Sequence, residues 1–466
     1  MNLLSASFVP YPRLIRFASF LLALWMTAGC ATSCRRNGTT AQADNSSKTV
    51  LTILSWNDDF RRAMETYYLP RHRDEMAGVE IKWLNDEIVG YQQNVEQRLL
   101  CGEGIDLFVG NDEMAPFFAV NPSVAPLSQL GITSDELASQ YAYTRLLGSD
   151  PDGIQRGSAM NAEPGVLLYR ADYAAEYLGV TRPEEMRAML SSWDTFLATA
   201  DLLRERSDGA VRMMSDSSEI WRAVEGEMAG HWVTDGRLSV SDETLSQWLN
   251  YVKSLNAAKG LAGIHPFDDD WQGAVSDGVF CFCAAPWLCK SVSADSADIT
   301  TLFTAAKQGG TSFGQFGVAP APHGFVYGGN WLYSSANSPH HELVGNIVRA
   351  FTCDAAFMQL LALGNMEWVN HTGVIAELSS KNVANPLFDN LDAFSVYHHP
   401  AADLSLSSPT VYDHTLSRLL YTQARAYAQG KLTETEAIYE FRLNVWKKYR
   451  TLTDEPQKPG KVATKS

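Results

Sequence analysis

A doubly wound α/β fold is what this sequence predicts, and three observations predict it. Between residues 50 and 109, short apolar strands alternate with segments of helical periodicity. Each apolar run stops abruptly in a polar loop. A second series of the same kind begins at Gly165. Strand, helix, strand, helix, strand is the opening of a parallel sheet with helices on its faces.

Val50–Leu54 reads as a strand followed by Ser55-Trp56-Asn57-Asp58-Asp59. A helix fits Phe60–Leu69 and stops at Pro70. Val79–Leu84 alternates as a strand, Val89–Leu100 is spaced as a helix, and Ile105–Val109 is a continuous apolar strand ending at Gly110-Asn111-Asp112-Glu113. In doubly wound sheets, ligands sit beyond the carboxyl ends of the strands, here after Leu54 and Val109. Gly165–Tyr169 is the next strand, with a helix over "RADYAAEYLG", and Ser192-Trp193-Asp194 caps a helix running to Leu203. Strands follow at Val211–Met214, Val279–Ala284, Phe316–Ala319 and Trp331–Ser334. Helices are expected around 219–229, 241–258, 340–352 and 354–363, and Thr433-Glu-Thr-Glu436 is a capping box opening a helix to Tyr449. No internal repeat is present.

The N-terminus is a separate matter. The first 29 residues carry Arg13 and Arg16, no acid, and the short apolar run Ala18–Gly29, which is the pattern of a secretory signal. No other run approaches the length of a membrane span. Thr27-Ala28-Gly29-Cys30 resembles a bacterial lipobox, with Thr27 where Leu is usual, and Cys34 is a competing lipidation site. Residues 30–49 are polar and read as a flexible tether, and residues 453–466 as a disordered tail. The formal net charge is −16, and becomes −18 once the two leader arginines are removed. That balance argues against a basic, nucleic-acid-binding surface.

Several motifs invite chemistry and are better read structurally. Gly310-Thr-Ser312-Phe-Gly314 matches a nucleophile elbow, which needs a strand before the serine and a helix after it; here it lies in a Gly-rich loop before a strand. Asp268-Asp269-Asp270 offers paired carboxylates, but three acids before Trp271 are the ordinary dress of a helix start. His340-His341 and His398-His399 lack ligand spacing, and neither a phosphate loop nor any other cofactor motif occurs, so no metal or cofactor is expected. "GVFCFCAAPWLC" holds three of the seven cysteines. Cys281 and Cys283 lie two apart in a strand, on one face, too close for an unstrained disulfide. Cys289 with one of them, or Cys101 with Cys353, remain open as pairs.

Seven segments in order resemble the carbohydrate-type extracellular solute-binding proteins that feed ABC importers, the maltose-binding protein-like family 1. They are "LTILSWNDD", "GIDLFVGNDE", "NAEPGVLLYRADYAAEYLG", "WVTDGRLSVSDE", "DGVFCFCAAPWL", the "FGVAPAPHG" to "NIVRAFT" region, and "GKLTETEA", covering about residues 50–449. The resemblance implies the bilobal type II periplasmic-binding-protein fold. Residues 50–160 and 320–366 would form lobe 1, and residues 164–312 and 370–449 lobe 2. Crossings are expected near Asn161–Glu163, Gly314–Val318 and Glu367–Thr372. It implies a monomeric, lipid-anchored receptor on the outer side of the membrane, with Cys30 lipidated, that hands a mono- or oligosaccharide to permease subunits and catalyses nothing.

Carried over by position, the ligand contacts would be Trp56, Asn57 and Asp58 after the first strand, Asn111, Asp112 and Glu113 after the third, and Glu163 at the first crossing. Glu219 and Trp221 follow the Val211–Met214 strand, Trp287 comes from Ala-Pro-Trp, and Asn330, Trp331 and Trp368 lie at the hinge. Aromatic planes suit a sugar's apolar face, and carboxylates and amides its hydroxyl rim. Two alternatives stand beside this: the same fold binding a non-sugar solute such as a polyamine or organic acid through the acidic loops, and an envelope hydrolase using Asp268–Asp270 or Ser312.

Overall fold

The computed structural model describes residues 48–289, 306, 312, 314–388, 391–407 and 409–458. The leader, Cys30, Cys34, nearly all of the tether and the last eight residues lie outside that set.

The main strands in chain order are β1 (Thr49–Ser55), β2 (Val79–Asn85), β3 (Leu107–Gly110), β4 (Ser158–Ala159), β5 (Val166–Arg170), β6 (Arg212–Met214), β7 (Val279–Ala284), β8 (Phe316–Ala319) and β9 (Trp331–Ser334). The first sheet has the order β2-β1-β3-β9-β4 and the second β8-β5-β7-β6. β1 runs parallel to β2 and β3, with Ile53 opposite Leu107 and Leu54 opposite Phe108, as the alternating pattern predicts. β9 enters antiparallel from far along the chain. The second sheet is mixed: β5 is antiparallel to both β7 and β8, and β6 is parallel to β7. All residues of β3, β5 and β7 are buried, which is why these strands read as unbroken apolar runs.

The helices follow their signals. The Phe60–Leu69 helix begins as an α-helix at Asp59–Ala63 and widens into a π turn over Met64–Tyr68. Ser192 caps Trp193–Arg206 by accepting the Thr195 N–H. Thr433 and Glu436 form the expected reciprocal box at Glu434–Lys448. A helix at Asp413–Ala428, which the sequence reading had not marked, completes a four-helix pack with Ser217–Met228, Asp242–Ala257 and Glu434–Lys448 around Trp232, Trp248, Leu420 and Phe441.

Three segments pass between the sheets and lie against one another. Asn161 bridges to Val369, and Pro164 to Val326. Because Phe316–Ala319 pairs with β5, it belongs to the second sheet; the middle crossing is therefore residues 320–330 and not Gly314–Val318. One buried cluster runs from Leu51 and Ile53 through Met160 and Trp368 to Leu168 and Phe282, so both sheets share a core through the crossings.

Other expectations meet corrections. Cys101, Cys281, Cys283, Cys289 and Cys353 are free thiols, so neither open pairing forms. The Cys281 thiol donates to the Met213 carbonyl at 3.1 Å, and burial pushes it and Cys283 well above the ordinary thiol range. Asp270 stands at the N-cap of Trp271–Ser276 but its side chain makes no capping bond, so the triplet is an exposed acidic turn and not a capping device. Ser312 is fully buried with no hydrogen-bond partner for its hydroxyl among the described residues, which removes it as a nucleophile. Residues 453–458, expected to be disordered, have no helix or strand, yet Asp454 takes an ion pair from Arg237 at 3.1 Å.

The exposed capping box is a clean local test. Thr433→Ala leaves the Glu436 N–H without its acceptor and is expected to cost about 1 kcal/mol, read as a lower midpoint in urea with an unchanged slope.

Candidate functional site

The loop after β1 is partly spent on itself. Asn57 accepts the Asp59 N–H, Asp58 is exposed, and Trp56 is partly buried with its ring edge-on to Tyr91 at 5.4 Å. In the loop after β3, Asn111 accepts the Met114 N–H and so fixes the turn, which leaves the partly buried Asp112 and Glu113 for partners elsewhere in the chain.

They face a helix. Ser217–Met228 starts at Asp216, whose carboxylate accepts the Ser218 N–H, and its buried face carries Ile220, Trp221, Ala223 and Val224. Arg222 and Glu225, three apart, project from the other side. The Arg222 guanidinium lies 3.7 Å from Glu113 and sits over the Tyr327 ring, 3.7 Å from its centroid. Glu225 accepts from Ser417, and His414, from the Asp413–Ala428 helix, reaches Glu113 at 3.5 Å. These groups line a cavity enclosing about 920 Å³ of empty space including its open mouth, floored by Phe325 and Val326 of the middle crossing.

Burial sets the electrostatics. Loss of water, reinforced by Glu113 and opposed by Arg222, pushes Asp112 up to about 8; the Gly328 N–H also steadies its charged form. Glu225 is raised by burial, against the pull of Arg222. Burial works against the Arg222 charge, but Tyr327, Glu225, Glu113 and Asp112 outweigh it and hold the guanidinium above its ordinary range.

Trp287 stands on the other side of Tyr327. Its N–H donates to Glu163 at 3.0 Å, its indole N–H to the Tyr327 carbonyl at 2.9 Å, and its ring meets Tyr327 edge-on at 5.5 Å. It remains half-buried. Gly328, at φ 95°, is the pivot between Trp287 and Asp112: a Cβ there would come within 2.9 Å of the indole nitrogen. Glu163 itself is 2% exposed and sits at φ 45°, an uncommon conformation for a non-glycine residue.

The structure therefore gathers Asp112, Glu113 and Trp287 around Tyr327, with Glu163 behind Trp287. Four other expected contacts are corrected. Glu219 turns inward, accepting from Ser215 and from the Cys283 N–H of β7, and burial raises it to about 7. Trp221 is buried and donates to Ser417. Trp331 is fully buried among Phe108, Phe118 and Tyr333. Trp368 is buried, stacked on Tyr141 at 5.3 Å and donating to the Phe394 carbonyl. Large indoles complete cores wherever a strand end or crossing offers a closed face. Asn330 is partly exposed, and its carbonyl accepts the Met160 N–H. Sequence reasoning missed Arg222, Glu225, Tyr327 and His414. The first two had a signal, opposite charges three apart beside the apolar Ile220, Trp221, Ala223 and Val224; the others had none.

The model of the bacterial extracellular solute-binding protein family matches residues 74–363, well over half the chain. The chain belongs to that family. The family binds solutes for transport and does not catalyse, and it works outside the cytoplasm. No curated sequence matches this solute-binding protein. Solved structures do. A family 1 extracellular solute-binding protein shares 16% identity at a TM-score of 0.72, over 86% of this chain and 99% of its own. The GacH receptor of Streptomyces glaucescens, solved unliganded and with acarbose, shares 16% identity at 0.63, over 87% and 100%. The galacto-N-biose/lacto-N-biose I-binding protein of Bifidobacterium longum, solved with lacto-N-biose, shares 15% at 0.64, over 88% and 99%. At such identities the likeness is one of fold, and that fold is bilobal.

The raised carboxyls give the solute-binding protein a pH signature. Folded Asp112 and Glu219 keep protons that the unfolded chain has already lost, so the stability they provide at low pH is lost as pH rises towards about 7 to 8. The melting temperature of Asp112→Asn relative to the parent is expected to rise from pH 5 to pH 8.5. A difference constant over that range means an ordinary carboxyl at position 112.

Proposed function

We propose that this solute-binding protein captures a mono- or oligosaccharide between two lobes and delivers it to the permease of an ABC transporter, held at the membrane by lipid on Cys30. The first lobe is taken as the one built on the β2-β1-β3-β9-β4 sheet and the second as the one built on the β8-β5-β7-β6 sheet, with residues 320–330 crossing between them. The observation that carries the sugar reading is Trp287: an indole delivered by β7 to the end of the second sheet, pinned at both nitrogens by Glu163 and Tyr327, yet left half-buried. An apolar plane beside hydroxyl acceptors is the chemistry of a saccharide site. The saccharides bound by the Streptomyces and Bifidobacterium proteins support it. The proposed contacts are Asp112, Glu113 and Trp287, joined by Arg222 and Glu225. Trp56, Asn57 and Asp58 would stand at the rim.

One observation favours a second reading, a cationic solute such as a polyamine. Asp112, Glu113, Glu225 and Asp413 line the cavity against Arg222 and His414, an excess of acid.

Melting temperatures measured against neutral saccharides, polyamines and organic acids separate the two, because a ligand that binds only the folded form stabilises by RT ln(1 + [L]/Kd). A saccharide is expected to shift the melt, and Trp287→Ala to abolish the shift; a shift with a polyamine that survives Trp287→Ala selects the second reading. Cys30→Ser is expected to move the protein from the membrane fraction to the soluble fraction of its host.

A further inference from the structure

Trp232 packs against Trp248 and Phe441, and one of its atoms does not fit a purely packing role. The side chain is fully buried, yet its indole N–H has no acceptor among the described residues. Buried indoles usually find one. The same side chain lines the cavity that holds Asp112, Glu113, Arg222 and Glu225. A buried donor without a partner is costly, and on a cavity wall a ligand oxygen would complete the bond.

The charged groups of this cavity are under-served in both directions. The Arg222 guanidinium lies over Tyr327 and 3.7 Å from Glu113, beyond hydrogen-bond reach, and makes no hydrogen bond among the described residues, so its N–H donors are open. Asp413 is supplied by the Gly230 N–H and the Thr410 hydroxyl. Glu225 receives the Ser417 hydroxyl, and Glu113 has Arg222 and His414 at 3.7 and 3.5 Å. Asp112, Glu113 and Glu225 thus share one guanidinium and one imidazole. Three solute classes can be weighed against that inventory. A polyamine brings ammonium donors to the acids but no acceptor, which leaves Arg222 and the Trp232 N–H unserved. A neutral sugar serves both with hydroxyl oxygens but brings no charge to offset the excess of acid. A sugar with a free amine does both.

We propose that the solute is an amino sugar, its ammonium held among Asp112, Glu113 and Glu225 and its hydroxyl oxygens accepting from the Arg222 guanidinium and the Trp232 indole. The proposal rests on the sugar reading of the site and narrows it. Asp112 and Glu113 come from the loop after β3, and Arg222, Glu225 and Trp232 from the Ser217–Met228 helix and the segment just after it, so such a ligand is gripped from both sheets. Burial makes the choice of charge matter: carboxylates taken out of water without a partner are costly, and an ammonium placed among them removes that cost, which a hydroxyl does only in part.

The test is isothermal titration of the purified protein at pH 7 with matched sets of sugars. They are glucosamine, glucose and N-acetylglucosamine; galactosamine, galactose and N-acetylgalactosamine; and the β-1,4-linked dimers of glucosamine, glucose and N-acetylglucosamine. Maltose, lactose and spermidine are run beside them. In at least one set the free amine is expected to bind more than about tenfold tighter than both neutral members. Asp112→Asn combined with Glu225→Gln keeps side-chain size and is expected to reduce that preference to less than about threefold. Trp232→Phe removes an N–H that no described residue uses, and is expected to weaken the amine by about fivefold. Melting temperatures check that both variants fold, and the double variant decides the matter if Trp232→Phe does not. If a neutral sugar binds the parent as tightly as every amine, if the double variant keeps the preference, or if a folded Trp232→Phe binds unchanged, the inference is wrong while the sugar reading stands. If spermidine alone binds, or no sugar does, the sugar reading falls and this inference falls with it.

Discussion

The left-handed Glu163 is the joint on which the rest of the site depends. Its carbonyl accepts the Tyr327 N–H and its carboxylate the Trp287 N–H. Next to it, the Ala162 N–H donates to the Trp368 carbonyl, and the Asn161 side chain donates to Glu367. One short segment therefore ties together all three crossings and the end of β7. A non-glycine residue at positive φ costs on the order of 1–3 kcal/mol and persists only where its surroundings over-determine it. Here they do: an extended Glu163 would carry both acceptors away from their donors.

What that joint positions is a mismatch of charge and burial. Asp112 and Glu113 descend from the first sheet, Arg222 and Glu225 face them from a helix beside the second, and Tyr327 of the crossing lies between. Taking carboxylates out of water is costly unless each finds a partner, and one guanidinium cannot serve three. Part of the imbalance is relieved at Asp112, which burial, reinforced by Glu113, pushes up to about 8. A ligand that supplies hydroxyl or ammonium donors would satisfy the same groups. Hinge closure in a bilobal binding protein is a population shift driven by contacts to both lobes, and this cluster spans both sheets.

Much of the fold was legible because local physics wrote it. β7, β8 and β9 fall on the residues their patterns predicted, since short apolar runs bounded by turn residues have few other solutions. Ser192 and Thr433 cap the helices they announced. The Asp413–Ala428 helix was missed because its Leu416, Leu420 and Ala424 stripe is diluted by half-buried polar and aromatic residues, and its helical state rests on packing against three other helices.

The site divides along the same line. The sequence by itself determined that polar loops end β1 and β3, that Asp112 and Glu113 lie in the second of these, and that Cys281 and Cys283 share one face of an apolar strand. Only the tertiary structure decided which tryptophans face outward. Trp221, Trp331 and Trp368 occupy positions as promising as that of Trp287, yet each meets a closed wall of core side chains. It also decided that Arg222, Tyr327 and His414, from three separate elements, meet Asp112 and Glu113. Exposure and long-range contact are properties of how elements pack. A residue's neighbours along the chain fix its backbone preferences, while the solvent and the charges around its side chain come from segments a hundred or more residues away.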